Sequence, residues 1–220
     1  MRSLSRQLDS FFAALLERTD PQTADILTRQ QRGLSGGALL AGARQAGDRA
    51  PAFCLPDQHG ETVSLAERLE RGPVVLTFFR GGWCPFCSIA LRALQEIATK
   101  VARSGASLLA ISPQSPEGIA ALADTQGLTF PLLSDHGNAV ARAYGLVWRL
   151  DDESKAIYRR LGHDIPASNG APGWELPMPA GYVIARTGVI RHARVDARVT
   201  HRLEPADVLK ALTELHGATA

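Results

Sequence analysis

Val74-Val75-Leu76-Thr77-Phe78-Phe79-Arg80-Gly81-Gly82-Trp83-Cys84-Pro85-Phe86-Cys87 starts as an apolar, β-favouring run and ends in two thiols. Two glycines break the run, and helical spacing takes over after Cys87. Ile89, Leu91, Leu94, Ile97, Ala98 and Val101 fall mostly on one face, with Arg92, Gln95, Glu96 and Lys100 around the rest. The stretch reads as a buried strand, a tight turn at Gly81-Gly82, and a helix whose first turn carries both cysteines. Pro85 suits the first helical position, where a missing N–H costs nothing. That leaves Cys84 at or next to the N-cap, where free N–H groups and the helix dipole favour an anion. A thiol held there loses its proton more easily, and the thiolate is the reactive form. Cys87 sits one turn on, more buried, within reach of a bond to Cys84.

A Cys-x-x-Cys pair is redox-active, zinc-binding or merely core. This chain has one such pair, and none of His59, His136 and His163 lies at finger-like spacing from it, so no metal is expected. Strand, glycine turn, Trp-Cys-Pro-aromatic-Cys and helix together favour redox chemistry over two packed core cysteines.

The totals bound the rest. The chain has 220 residues, enough for one sizeable domain plus an extension. Its net charge is +2 and its arginines are scattered, which gives nucleic acid no basic patch. No apolar run is long enough to span a membrane, and the N-terminus lacks a signal-peptide core. A reducing cytoplasm is therefore the expected compartment. Three cysteines do not make a disulfide framework, and in a reducing compartment a Cys-x-x-Cys is catalytic more often than structural.

Residues 1–45 read as a helical extension set apart from the core, and residues 46–220 as the domain proper. Leu4, Leu8, Phe11, Phe12, Leu15 and Leu16 form an apolar stripe; Asp20-Pro21 opens a second helix, and Ser35-Gly36-Gly37 breaks it. The stripe serves either as a packing arm on its own domain or as a homodimer contact. Ala50 to Asp57 is an extended lead-in containing Cys54, which reads as buried packing; Gln58-His59-Gly60 is a turn before a short strand and a helix. After the central unit come a strand over Gly105–Ile111, a helix from Ser115 or Pro116 to Gly127, a strand over Phe130–Leu133, and a brief helix from Asn138 to Tyr144. Asp135 with His136 reads as a strand-end turn, and Trp148 and Trp174 as cover for core or cleft. Ile165 to Pro179 is too long for an idle loop. Strands over Tyr182–Ala185 and Val189–Val195, then a helix from Pro205, close the chain. Alternating strands and helices around a buried parallel pair mean α/β. The closing hairpin makes the central sheet mixed, with helices on both faces, as in the thioredoxin-like fold.

The chain resembles the peroxiredoxin-like branch of the alkyl hydroperoxide reductase/thiol-specific antioxidant (AhpC/TSA) family over roughly Gly47 to His216. The resemblance rests on Gly47-Asp48-Arg49-Ala50-Pro51-Ala52-Phe53 with Leu55-Pro56-Asp57, and on Val74 to Cys87. It rests also on Phe130-Pro131-Leu132-Leu133-Ser134-Asp135 with Ala143-Tyr144-Gly145, and on Tyr182-Val183-Ile184 with Thr187-Gly188-Val189-Ile190. It implies a thioredoxin-like fold and a peroxidase of hydrogen peroxide or organic hydroperoxides, without cofactor. Matching Cys-Pro to Cys-Pro implies that Cys84 is peroxidatic and passes through a sulfenic acid. Cys87 then closes a disulfide, which a thioredoxin- or glutaredoxin-type dithiol reopens. Gly81, Gly82, Trp83, Pro85 and Phe86 would support the site. Gly81 stands where the family has Thr, Thr77 where it has Pro, and Pro179 where it has Arg; Arg80 is the nearest replacement for that guanidinium. Trp83 and Cys87 look more like thioredoxin or glutaredoxin. Two other readings stay open: a general thiol–disulfide oxidoreductase, and a redox-switched binding or sensor protein.

Overall fold

The computed structural model describes residues 3–33 and 38–217, with backbone alone for residues 30–33, 38 and 39; the Ser35-Gly36-Gly37 break lies outside the described residues. Helix α1 (Leu4–Glu17) begins at Ser3, and α2 (Pro21–Gly33) follows Asp20, whose carboxylate accepts from the Thr23 N–H at 3.0 Å. After the short α3 (Ala38–Ala41), β1 (Cys54–Pro56) pairs antiparallel with β2 (Thr62–Ser64). The Asp57 carboxylate holds the turn between them by accepting from His59 and Glu61 N–H. Cys54 is exposed on β1, which corrects its reading as buried packing: in a two-stranded edge ribbon the alternation turns it outward.

Helix α4 (Leu65–Arg71) leads into β3 (Val74–Phe78), and α5 (Pro85–Arg103) follows the glycine turn. Next come β4 (Ser107–Ser112), α6 (Pro116–Gln126) and β5 (Leu132–Ser134), then a 3-10 turn at His136–Asn138 and α7 (Ala139–Ala143). Asp135 caps α7 by accepting from Val140 and Ala141 N–H, so it is a strand-end turn residue. The stretch from Val147 to Pro179 holds β6 (Val147–Arg149), α8 (Asp152–Arg160), α9 (Ile165–Asn169) and β7 (Glu175–Pro177). Strands β6 and β7 pair antiparallel. Three-residue strands such as these carry too little alternation to be read from sequence. β8 (Ala180–Ile184), β9 (Ile190–Val195) and α10 (Pro205–Gly217) complete the chain.

The main sheet has the order β5-β4-β3-β8-β9, with β3 parallel to β4 and antiparallel to β8. Its central strands are buried on both faces. Val75 and Val183 join the core under α5, α6 and α10, while Val74, Leu76 and Phe78 join the opposite core with Tyr144 and Tyr182. This is the mixed α/β arrangement expected.

The N-terminal arm packs on its own domain. Leu4 and Leu8 are fully buried in the α5 core, and Phe11 meets Phe86 edge-on at 5.1 Å. Burying a leucine side chain contributes roughly 1.5–3 kcal/mol. Glu204, just before α10, clamps the start of α1: its carboxylate accepts from Leu4 N–H at 2.9 Å and Ser5 N–H at 2.8 Å. Further on, the backbone after α3 runs against α7. A Cβ at Gly145, where φ is 70°, would strike the Gly42 carbonyl.

Candidate active site

At the end of β3 the chain turns through Arg80-Gly81-Gly82. Phe79 N–H still donates to Ile111 O at 2.9 Å; then Gly82 N–H donates to the Gln114 side-chain oxygen at 2.6 Å and Cys84 N–H to Gly81 O at 3.1 Å. Gln114 is buried and fixes the turn from the neighbouring strand's end. Any Cβ on Gly81 would run into the Trp83 indole, so the indole occupies the space a side chain would need. Cys84 is the N-cap of α5 and Pro85 its first residue, as expected.

Both thiols are withdrawn from solvent: Cys84 is 3% exposed and Cys87 0%. They differ in what they face. Cys84 opens on a cavity of about 210 Å³, together with Arg80, Trp83, Pro85 and Phe86. Cys87 lies on the other side of the helix start, beside Thr77, Leu91 and Arg202.

Two buried arginines flank the pair. Arg80 is 5% exposed; its Nη1 donates to the Tyr158 hydroxyl at 3.2 Å and its guanidinium carbon lies 5.7 Å from the centre of the Trp148 ring. Its Nε has no partner among the described residues. Arg202 is 8% exposed; its Nε donates to Val199 O at 2.9 Å and its Nη2 points at Cys87 Sγ, 3.9 Å away. Among the described residues neither guanidinium has a carboxylate partner, so each field acts on the thiols. The loop carrying Arg202 is held by Asp196, which accepts from Arg198 N–H at 3.0 Å, from its guanidinium at 2.7 Å, and pairs with His201 Nδ1 at 3.0 Å.

The two thiols titrate as a coupled pair. A side-chain hydrogen bond with Cys87 raises the Cys84 pKa, and burial and the Cys87 charge add to the rise. Burial opposes ionisation of Cys87 too, but the Cys84 hydrogen bond and the charges of Arg202 and Arg80 outweigh it, and Cys87 falls to about 5. At neutral pH the coupled pair therefore shares one proton, and its single negative charge belongs to both sulfurs together. The helix N-terminus is not alone in favouring the charge: Arg202, from a distant loop, and Arg80 both act on the pair.

The cavity is mostly apolar. Phe12 and Leu15 from α1, Thr19 from the link and Leu27 from α2 form one wall. Ile157, Tyr158 and Leu161 from α8 and the turn after it form another. Trp83 meets Tyr158 edge-on at 5.5 Å and lies 5.1 Å from the His163 ring. Burial holds His163 below its ordinary value, so it brings no charge to the cavity at neutral pH. Among the described residues no group of three or more His, Cys, Asp or Glu side chains is placed to hold a metal ion.

Of the residues singled out in the sequence, Arg80, Trp83, Cys84, Pro85 and Phe86 line the cavity; Gly81 and Gly82 form the turn beside it, and Cys87 faces away from it. Gln114, Tyr158, Arg202 and the arm residues were missed. Arg202 is 115 positions from Cys87, one of two arginines in its loop, with no local signal to mark it.

The AhpC/TSA family model matches residues 46–193, more than half of the chain. The chain belongs to the AhpC/TSA family. A putative peroxiredoxin of Mycobacterium tuberculosis is 40% identical over 99 residues, 45% of this chain and 62% of that protein. Escherichia coli peroxiredoxin Bcp is 35% identical over 104 residues, 47% of this chain and 65% of that protein. The chain thus spans just under two thirds of the length of these curated relatives. Among solved structures, peroxidoxin BcpB of Mycobacterium tuberculosis superposes with a TM-score of 0.59 at 25% identity, covering 79% of this chain and 97% of that one. Xanthomonas campestris peroxiredoxin Q, at 16% identity and a TM-score of 0.56, covers 76% of this chain and 92% of that one and is alike in fold. The AhpC/TSA match begins at residue 46, so α1 and α2, which wall the cavity, lie outside it.

Proposed function

We propose that this AhpC/TSA protein is a thiol-dependent peroxidase, with Cys84 as the peroxidatic thiol and Cys87 as the resolving one. One observation carries the assignment: Cys84 and the carboxylate-free guanidinium of Arg80 open on the same cavity, whereas Cys87 does not. Access, not resting charge, selects the nucleophile.

The Cys84 proton passes to Cys87 along their hydrogen bond. Cys84 sulfur attacks the terminal oxygen of the hydroperoxide; an S–O bond forms and the O–O bond breaks. Cys84 becomes a sulfenic acid, and the departing alkoxide, met by Arg80, takes the proton from Cys87. Cys87, again a thiolate beside Arg202, attacks the Cys84 sulfur. A disulfide forms, and the departing hydroxide leaves as water with a proton from solvent. An external dithiol of thioredoxin or glutaredoxin type then reduces the disulfide by exchange. Gly81, Gly82, Trp83, Pro85 and Phe86 shape the turn and the cavity floor. Residues 46–220 carry the chemistry, in a cytoplasmic protein, and residues 1–45 complete the cavity. A homodimer through the N-terminal helices would use Phe11, Phe12, Leu15 and Leu16, which stay half-buried while Leu4 and Leu8 are in the core.

The test is to trap the sulfenic acid with a dimedone-type probe after one equivalent of hydroperoxide. Label on Cys84 in the Cys87→Ser variant, and none in Cys84→Ser, is expected. First labelling of Cys87 in the unmutated protein would reverse the roles.

A further inference from the structure

We infer that Tyr158 is a further catalytic residue of this site: its hydroxyl donates a hydrogen bond to the oxygen that departs as the peroxide bond breaks. This rests on the peroxidase reading and adds a donor to it. The residue comes from α8, between β6 and β7. Asp151 caps that helix by accepting from Ser154 N–H at 2.7 Å, and Ile157 and Tyr158 fall on its buried face. Trp83 meets the Tyr158 ring edge-on at 5.5 Å, and the His163 ring lies 6.4 Å from it. These aromatic neighbours hold the ring in place.

The bonding of the hydroxyl carries the argument. A phenol has one proton to give and lone pairs to accept with. Arg80 Nη1 donates to this oxygen at 3.2 Å, so its accepting side is in use. Among the described residues no acceptor takes its proton. A buried donor left unmet is costly, and Tyr158 lines the cavity on which Cys84 and Arg80 open. The departing oxygen is an acceptor that gains charge in the transition state, where a placed donor counts most. The bond from Arg80 polarises the hydroxyl and strengthens it as a donor. Burial raises the Tyr158 pKa above the ordinary tyrosine value against the lowering by Arg80, so the hydroxyl keeps its proton at neutral pH. Gly81 has no side chain to donate, and the Trp83 indole fills the space one would need, so this donor comes from across the cavity. In the step itself Cys84 sulfur bonds one peroxide oxygen, the O–O bond breaks, and Arg80 and Tyr158 both donate to the other oxygen. The tyrosine keeps its proton; the one that oxygen takes still comes from Cys87.

Tyr158→Phe removes the hydroxyl and keeps the ring against Trp83. The test measures second-order oxidation of the full-length reduced protein, unmutated and Tyr158→Phe, by tert-butyl hydroperoxide and by peracetic acid. Thiolate absorbance is titrated in both proteins. tert-Butyl hydroperoxide releases a strongly basic alkoxide; peracetic acid releases acetate, which needs a donor far less. The expected result is a loss on the order of 100-fold with tert-butyl hydroperoxide and of less than about tenfold with peracetic acid. The titration of the thiol pair should not move. Equal losses with the two oxidants would overturn the inference, because Tyr158 would then only position Arg80 or pack. A displaced thiol titration would overturn it too, because the hydroxyl would then act on the thiols. No loss in Tyr158→Phe, with both proteins far faster than free cysteine, would overturn it and leave the peroxidase reading standing. Unmutated rates at the level of free cysteine with both oxidants would overturn the peroxidase reading, and this inference with it.

Discussion

Two buried guanidinia, Arg80 and Arg202, favour the single negative charge that the thiol pair holds. Replacing Arg202 with Met removes the positive neighbour 3.9 Å from Cys87 Sγ while keeping an apolar stem of similar length. The pair's first deprotonation should then move up from about 5 towards the ordinary thiol range, and a plot of peroxide reactivity between pH 4 and 9 should shift its rising limb accordingly. An unchanged limb would mean that Arg202 only packs. Arg80→Ala acts at the other sulfur. Loss of one transition-state donor costs ~2.7–4 kcal/mol of barrier, so peroxide oxidation should slow on the order of 100- to 1000-fold, while exchange with a small disulfide is much less affected. Gly81→Thr, which restores the family's usual residue, should destabilise the protein here. The Trp83 indole fills that space, and overpacking costs about 1–3 kcal/mol, measurable as a lower midpoint in urea. The cysteines, Pro85 at N1 and the strand-end arginine were legible because each obeys a local rule of strand, turn or cap. Arg202 and Gln114 were not, because their roles exist only once β4 and the loop after β9 are folded against α5.

At the scale of elements, the start of α1 depends on a carboxylate from the far end of the chain. Burial opposes the charge on Glu204, but the Ser5 and Leu4 N–H groups hold its pKa below the ordinary carboxylate value of 4.5. A depressed carboxylate stabilises the fold fully above its unfolded pKa, and the contribution is lost as pH falls through the lower folded value. The unmutated protein should therefore lose part of its stability below about pH 4.5, and Glu204→Gln should lose less over that window. At neutral pH that variant should be less stable by about 1 kcal/mol or under, since the site is partly screened by solvent. An unchanged pH dependence in Glu204→Gln would show that the clamp carries no stability. The stripe of α1 was visible in the sequence as period-3.6 alternation, but its partner was not, because an amphipathic face does not name what covers it. β6 and β7 escaped notice for a different reason: each is too short to show a period.

Over the whole molecule, the family segment and the arm form one body around one cavity. The sequence sets residues 1–45 apart, yet Leu4 and Leu8 sit in the core and Phe12, Leu15 and Leu27 line the site. Leu8→Ala should cost about 2–5 kcal/mol, a core-sized loss visible in urea unfolding, where a loosely attached arm would show almost none. The central claim is that the thiol opening on this cavity reduces hydroperoxides. Its most direct test is stopped-flow oxidation of the reduced protein by cumene hydroperoxide, run beside reduction of insulin disulfides by the same preparation. A second-order rate on the order of 100-fold or more above free cysteine, abolished by Cys84→Ser, with slow insulin reduction, is expected. A peroxide rate no better than free cysteine, with efficient insulin reduction, would contradict it and make the protein a thiol–disulfide oxidoreductase.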